Sequence, residues 1–118
     1  MKHTIVGFSC LLLMGLSLQG CGLFLSDLEK LLETNVCQKC DLEEANLIGA
    51  NLKGADLTGT DLTKANLWGA NLNNANLTDA DLIDAILQNA ENFNTANTTG
   101  AKFCKTIMPD GTTNNSGC

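Results

Sequence analysis

Arginine and tyrosine are absent from the 118-residue chain, and its one histidine is His3. Beyond the first twenty or so residues serine occurs only as Ser26 and Ser116. Few side chains are left to act as a general base near neutral pH, and no nucleophile is paired with one. Glycine-rich phosphate loops flanked by strand and helix are also missing, so no catalytic residue and no cofactor site is assigned. Positive charge is scarce. Thirteen Asp and Glu face seven Lys, a formal net charge of -6. That balance argues against nucleic acid or an anionic membrane surface as an electrostatically held partner and leaves basic partners open. A chain of this length supports one small domain at most.

The first segment, MKHTIVGFSCLLLMGLSLQGC, has a basic start at Lys2 and an apolar run from Ile5 to Leu18, followed by Leu18-Gln19-Gly20-Cys21. It resembles a lipoprotein signal with its lipobox. That resemblance makes residues 1–20 a signal peptide and Cys21 the lipidated first residue of the mature chain. Two other readings stay open. The apolar stretch continues through Gly22-Leu23-Phe24-Leu25, about 21 residues that could span a bilayer uncleaved, and plain secretory cleavage would release the domain into the periplasm or lumen. All three export it, and the first two tether it to a membrane facing the periplasm or the outer surface.

From Cys40 to Asn89 a leucine returns every fifth residue through ten gapless frames: CDLEE, ANLIG, ANLKG, ADLTG, TDLTK, ANLWG, ANLNN, ANLTD, ADLID and AILQN. On an α-helix, successive leucines five apart scatter around the axis. On a straight strand an odd step sends them to opposite faces. The pattern is satisfied when the backbone turns a corner once per pentad and every leucine points to a common axis. Alanine stands two before the leucine in eight frames, Cys40 and Thr60 being the exceptions. Asn or Asp precedes the leucine in nine, and the last position is Gly, Asn or Asp in eight. Those types hydrogen-bond nearby backbone at turns and tolerate positive φ.

The ten frames resemble the pentapeptide-repeat family, A(D/N)LXX. The resemblance implies an all-β fold, a right-handed quadrilateral β-helix of about 3.5 coils with twenty residues per coil. Leu42, Leu62 and Leu82 then stack in one column, and Leu47, Leu67 and Leu87 in another. The register slips by one residue near Ala90 to Asn92 and resumes with Phe93, Thr98, Phe103 and Met108 in central positions, large side chains expected to plug the end of the leucine column. At the other end SDLEKLLET predicts a short capping helix, with Ser26 and Glu29 as a capping box and Leu28, Leu31 and Leu32 on one face. The domain layout read this way is signal peptide 1–20, linker and capping helix 21–36, solenoid 37–108 and tail 109–118.

Of the cysteines outside the export segment, Cys37 and Cys40 fall at the first coil and Cys104 about three coils away, roughly 15 Å and too far for a bond between them. Cys104 is therefore paired with Cys118, pinning the tail. Cys37 and Cys40 are left as the second disulfide pair, in inward, structural positions whether or not they are oxidised. A redox CxxC is a minor alternative, because the repeat supplies neither a helix N-terminus nor a thioredoxin-like scaffold. Metal is not expected at the cysteines, which lack two further ligands.

Outward positions also stack. Asp41, Asp61 and Asp81 form a column read chiefly as turn-capping carboxylates, with weak calcium binding as the sharper reading. Glu44, Lys64 and Asp84 form a column of alternating sign. Ile48 and Trp68 stack on an outward position and are the candidate partner patch. The expected role is an exported, non-enzymatic protein-interaction or structural module at the cell envelope, with an unknown protein partner and no nucleic acid. DNA mimicry, which the family resemblance also implies, is the alternative. Residues 40–110 carry ten acids and four Lys, within a factor of two of the charge of B-DNA over roughly 17 Å, but the rod is short and an export signal separates it from cytoplasmic gyrase.

Overall fold

The computed structural model describes residues 25–118. Residues 1–20, expected from the sequence to be a signal peptide, and Cys21, the expected lipidation site, lie outside the described residues. The first element is helix α1, Asp27–Thr34. Ser26 is its N-cap, its Oγ accepting the Glu29 N–H at 3.1 Å, and Asn35 closes it in the left-handed conformation at φ 62°. Short polar side chains suit both places, where orphan backbone groups need a partner and the chain must reverse.

From Val36 the chain winds as a coil. Parallel bridges join residues twenty apart, Val36 to Asp56, Asp41 to Asp61, Asn46 to Asn66 and Asn51 to Asn71, and so on down the rod. Each leucine N–H donates down the rod, as Leu47 does to the Asn66 carbonyl at 2.8 Å, and the next coil donates back, as Asn66 does to the Ala45 carbonyl at 2.9 Å. Each side of the square places one residue on the ladder before the next corner. The ladder therefore consists of isolated bridges, not extended strands, and among the described residues the two strands proper are β1, Thr106–Ile107, and β2, Thr113–Asn114, paired antiparallel in the tail.

The corners show why the repeat has its composition. Ala50 N–H returns to the Leu47 carbonyl at 3.0 Å, closing a turn whose third residue, Gly49, has φ +67°, the torsion type II turns require there. Lys39, Glu44, Lys64, Asn74, Asp79, Asp84, Asn89 and Lys105 hold the same torsion without being glycine. The Asn or Asp before nine of the ten leucines locks the corner, its Oδ1 accepting the N–H two residues on, as in Asn46 to Ile48 at 3.2 Å and Asp61 to Thr63 at 2.9 Å.

Leu42 through Leu87 fill the interior, none more than 2 % exposed. Each such side chain contributes about 1.5–3 kcal/mol that only a stacked neighbour can secure. Alanine columns at Ala55, Ala65, Ala70, Ala75, Ala80 and Ala85 are equally buried and keep the core narrow. Thr60 and Thr106 stand at alanine positions and are fully buried; their Oγ1 atoms donate to the Cys37 and Leu82 carbonyls, so both hydroxyls are satisfied.

Between Asn71 and Asn76 the spacing changes: Asn71 bridges Glu91, twenty on, but Asn76 bridges Asn97, twenty-one on. The extra residue is absorbed by a 3₁₀ turn at Phe93–Thr95, preceded by Asn92 at φ 58°. Below it Asp81 bridges Lys102 and Ile86 bridges Ile107.

Two expectations need correction. Leu32 is not on the buried face of α1: it is 55 % exposed, while Leu31 is buried, Leu28 is partly buried and Glu29 is 7 % exposed. Glu29 does not complete a capping box either, because its buried Oε1 has no hydrogen-bond partner among the described residues. The physical reason is the helix's length. Two turns are seated by their end contacts, Asp27 Oδ2 on the Asp41 N–H at 2.7 Å and Asn35 Nδ2 on the Lys53 carbonyl at 2.9 Å, and the apolar stripe follows. At the far end Phe93, Phe103 and Met108 pack against the core but stay partly exposed, with the two rings edge-on at 6.4 Å. The plug is partial, and the tail covers only part of what it leaves open.

Candidate functional site

Every candidate position on the solenoid follows from the twenty-residue ladder. Inward positions are sealed. Cys37 and Cys40 form a disulfide with Cα atoms 5.4 Å apart, 0 % and 5 % exposed, so an attacking thiolate has little access to either sulfur. Cys104 and Cys118 form the second, with Cα atoms 4.8 Å apart, closing the tail over the final coil. Gly117 runs against Phe103 there, its N–H donating to the Phe103 carbonyl at 2.6 Å. A Cβ at Gly117 would meet that backbone at 3.0 Å.

Chemistry is confined to the outer surface. Asp41, Asp61 and Asp81 do stack, and Lys102 continues their column. Asp41, Glu43 and Asp61 bring carboxylate oxygens within 4.8 Å of one another. Each aspartate already has an oxygen engaged: Asp41 accepts the Glu43 N–H and Asp61 the Thr63 N–H. The column thus serves its corners. Asp56 accepts from the Thr58 hydroxyl at 2.7 Å and from Gln38 Nε2 at 2.6 Å, and the Thr58 hydroxyl, the Gln38 amide and the Thr58 N–H hold its carboxyl below the usual range. The Thr112 hydroxyl does the same for Asp110, at 2.6 Å. Both shifts favour the carboxylate, the opposite of what a general acid requires.

Near the tail an open depression of about 540 Å³ lies between Phe93, Asn94, Met108, Pro109 and Asp110. No titratable pair converges on it. Among the described residues no helix is long and apolar enough to cross a membrane.

Ile48 and Trp68 are 52 % and 45 % exposed. They sit at successive copies of one corner, since Gly49 N–H donates to the Trp68 carbonyl at 2.8 Å and Gly69 N–H to the Gln88 carbonyl at 3.0 Å. The side beside that corner carries Asn46, Asn66, Ile86 and Ile107 on its ladder. Reasoning from the sequence missed Ile86. Its signal was its frame, AILQN, the one among ten that gives up the Asn or Asp of the corner.

Beside this geometry stand the known proteins. The family pattern described as "Pentapeptide repeats" matches in eight copies over residues 36–63 and 60–91. The pentapeptide-repeat protein alr5209 from Nostoc PCC 7120 is 34 % identical over 62 % of this chain and 72 % of its own, with a TM-score of 0.25. The chain belongs to the pentapeptide-repeat family. That relationship implies a right-handed β-helix, which the parallel ladder fits. Rfr23 from the cyanobacterium Cyanothece 51142 is 36 % identical over 63 % of this chain and 44 % of that one, with a TM-score of 0.44. HetL from Nostoc sp. strain PCC 7120, described as involved in heterocyst differentiation regulation, is 29 % identical over 67 % of this chain and 49 % of that one, with a TM-score of 0.32. The chain spans about half the length of these last two. No curated protein matches it.

Proposed function

We propose that this pentapeptide-repeat protein is an exported, non-enzymatic module that presents its flat sides to a protein partner or to structural components at the cell envelope, with Ile48 and Trp68 in the contact. One observation carries the reading: the repeat commits its recurring leucines and most of its alanines to a sealed interior, and the residues that vary between pentads, such as Ile48 and Trp68, stand on the outer surface at the corners. Two disulfides in a small domain favour an oxidising compartment. The Lys2 start, the apolar run and Cys21 favour export with lipid attachment. A tether would hold about 3.5 coils close to the membrane, as an interaction element and not as a long spacer.

Membrane fractionation of the wild type and Cys21→Ala, with mass measurement of the N-terminus, tests the reading. The wild type should sediment with membranes and gain the mass of a diacylglyceryl-modified Cys21, and the variant should lose both. Unprocessed protein in the cytosol would sink the proposal and revive DNA mimicry.

A further inference from the structure

The side of the solenoid bearing Leu47, Leu67 and Leu87 differs from its neighbours in one physical respect: its ladder, Asn46, Asn66, Ile86 and Ile107, carries no charge. The next side toward the N-terminus carries Asp41, Asp61, Asp81 and Lys102. Along one edge of the uncharged side run Ile48, Trp68, Gln88 and Pro109. Along the other run Glu44, Lys64, Asp84 and Lys105, all four with φ between 56° and 61° and therefore equivalent corner residues. Backbone bonds fix their order: Glu44 N–H donates to the Thr63 carbonyl, Lys64 N–H to Ile83 and Asp84 N–H to Cys104. The twenty-one-residue step past the insertion places Lys105 beneath Asp84.

Read down the rod, that edge is minus, plus, minus, plus. A two-fold axis perpendicular to the rod, laid across the uncharged side, reverses the order on a second copy. Glu44 then meets Lys105 of the second copy, Lys64 meets Asp84, and each remaining pair is the same again. Under the same rotation Asn46 faces Ile107, Asn66 faces Ile86, Trp68 faces Gln88 and Ile48 faces Pro109. An axis parallel to the rod would set the charged edge over the Ile48 and Trp68 edge and leave its charges unpaired. Rotated the same way, the aspartate side opposes Asp61 to Asp81, a like-charge clash. Two molecules of net charge -6 can thus meet on this side with charges matched, as they cannot on the aspartate side.

We infer that this side is an antiparallel, isologous contact between two copies of the chain, centred between the coils of Trp68 and Ile86. The inference rests on the interaction-module reading and names the partner. Ile86 supports it independently. It abandons the Asn or Asp that locks the corners elsewhere in the ten frames, and what it gains is apolar surface at the middle of the contact. At about 3.3 Å per residue and about 4.8 Å per coil the side covers roughly 300 Å² per copy. Stable complexes bury about 800 Å² per partner. The pairing is weak, on the order of hundreds of micromolar, and a membrane tether would raise its occupancy.

The full chain, purified in mild detergent as a mixture of ¹⁵N-labelled and unlabelled protein, is treated with a zero-length carboxyl-to-amine crosslinker at concentrations up to about 1 mM, the range such a contact requires. A mixed-isotope Glu44–Lys105 link is expected, because within one chain these residues lie about 14 Å apart, beyond such a bond. Sedimentation equilibrium should show Glu44→Lys weakening association at least threefold, the swap Glu44→Lys with Lys105→Glu restoring it, and Ile86→Asn, which rebuilds the corner hydrogen bond and so spares the fold, weakening it about fivefold. A monomer at the highest concentration, a swap no better than Glu44→Lys alone, or indifference to Ile86→Asn would overturn the inference. If the purified chain stays monomeric while photo-crosslinks from position 68 capture a foreign envelope protein, the second copy is excluded and the module reading survives.

Discussion

The two ends of the solenoid solve one problem by different means. Each must cover a ring of backbone and the open end of a leucine column. At the N-terminal end α1 does this with side-chain contacts: Asp27 takes the Asp41 N–H, Thr34 Oγ1 takes the Val36 N–H at 3.2 Å, and Leu31 is fully buried. At the C-terminal end the phenylalanines are incompletely buried, and a short β1–β2 ribbon is held down by the Cys104–Cys118 bond. A buried apolar anchor seals one end. A covalent clasp seals the other, where packing alone leaves large side chains in contact with water.

This contrast is breakable from either side. Leu31→Ala should cost about 3 kcal/mol, within the usual range of roughly 2–5 for a buried leucine, and Leu32→Ala less than about 0.5, compared by thermal unfolding. Equal losses would mean the helix seats on the Leu32 face after all. At the other end, replacing Cys104 and Cys118 together by serine should cost up to about 3 kcal/mol for a loop of this length, and proteolysis should then trim the tail before the coils. Opening Cys37–Cys40 instead, which spans three residues, should cost clearly less. The reverse order would show that the first coil, not the tail, depends on its covalent bond.

The smallest effect is that of pH. Asp56 near the helix end and Asp110 in the tail are both held below the usual carboxylate range. A depressed folded-state pKa stabilises above the unfolded value and loses that contribution as pH falls through the folded one. Stability should therefore decline slightly below about pH 4. Thr58→Val should remove the largest single contribution at Asp56, leaving those of Gln38 and the Thr58 N–H, and Thr112→Val the largest at Asp110, each seen as a flatter stability profile in acid.

Much of this was legible in the chain. A five-residue beat excludes helix and strand, so Leu42 through Leu87 had to share an axis, and the Asn or Asp beside each leucine announced the corner hydrogen bond later found at Asn46 and Asp61. The helix seat was not legible. Residues 28, 31 and 32 make a plausible stripe, but two turns have too little apolar area to choose their own orientation against two fixed end contacts.

What the sequence by itself determined is therefore the repeat, its inward leucines and its acidic exterior, because these depend on local turn chemistry and a fixed period. What the tertiary structure decided is adjacency between coils. A plain twenty-residue step would put Cys104 under Asp84. The residue absorbed at the 3₁₀ turn Phe93–Thr95 puts Lys105 there instead. The slip near Ala90 to Asn92 was already visible in the frame of the repeat; chain stacked on chain decided that a turn absorbs it while the ladder continues, because hydrogen bonds between coils fix Lys105 beneath Asp84 and complete the alternating edge.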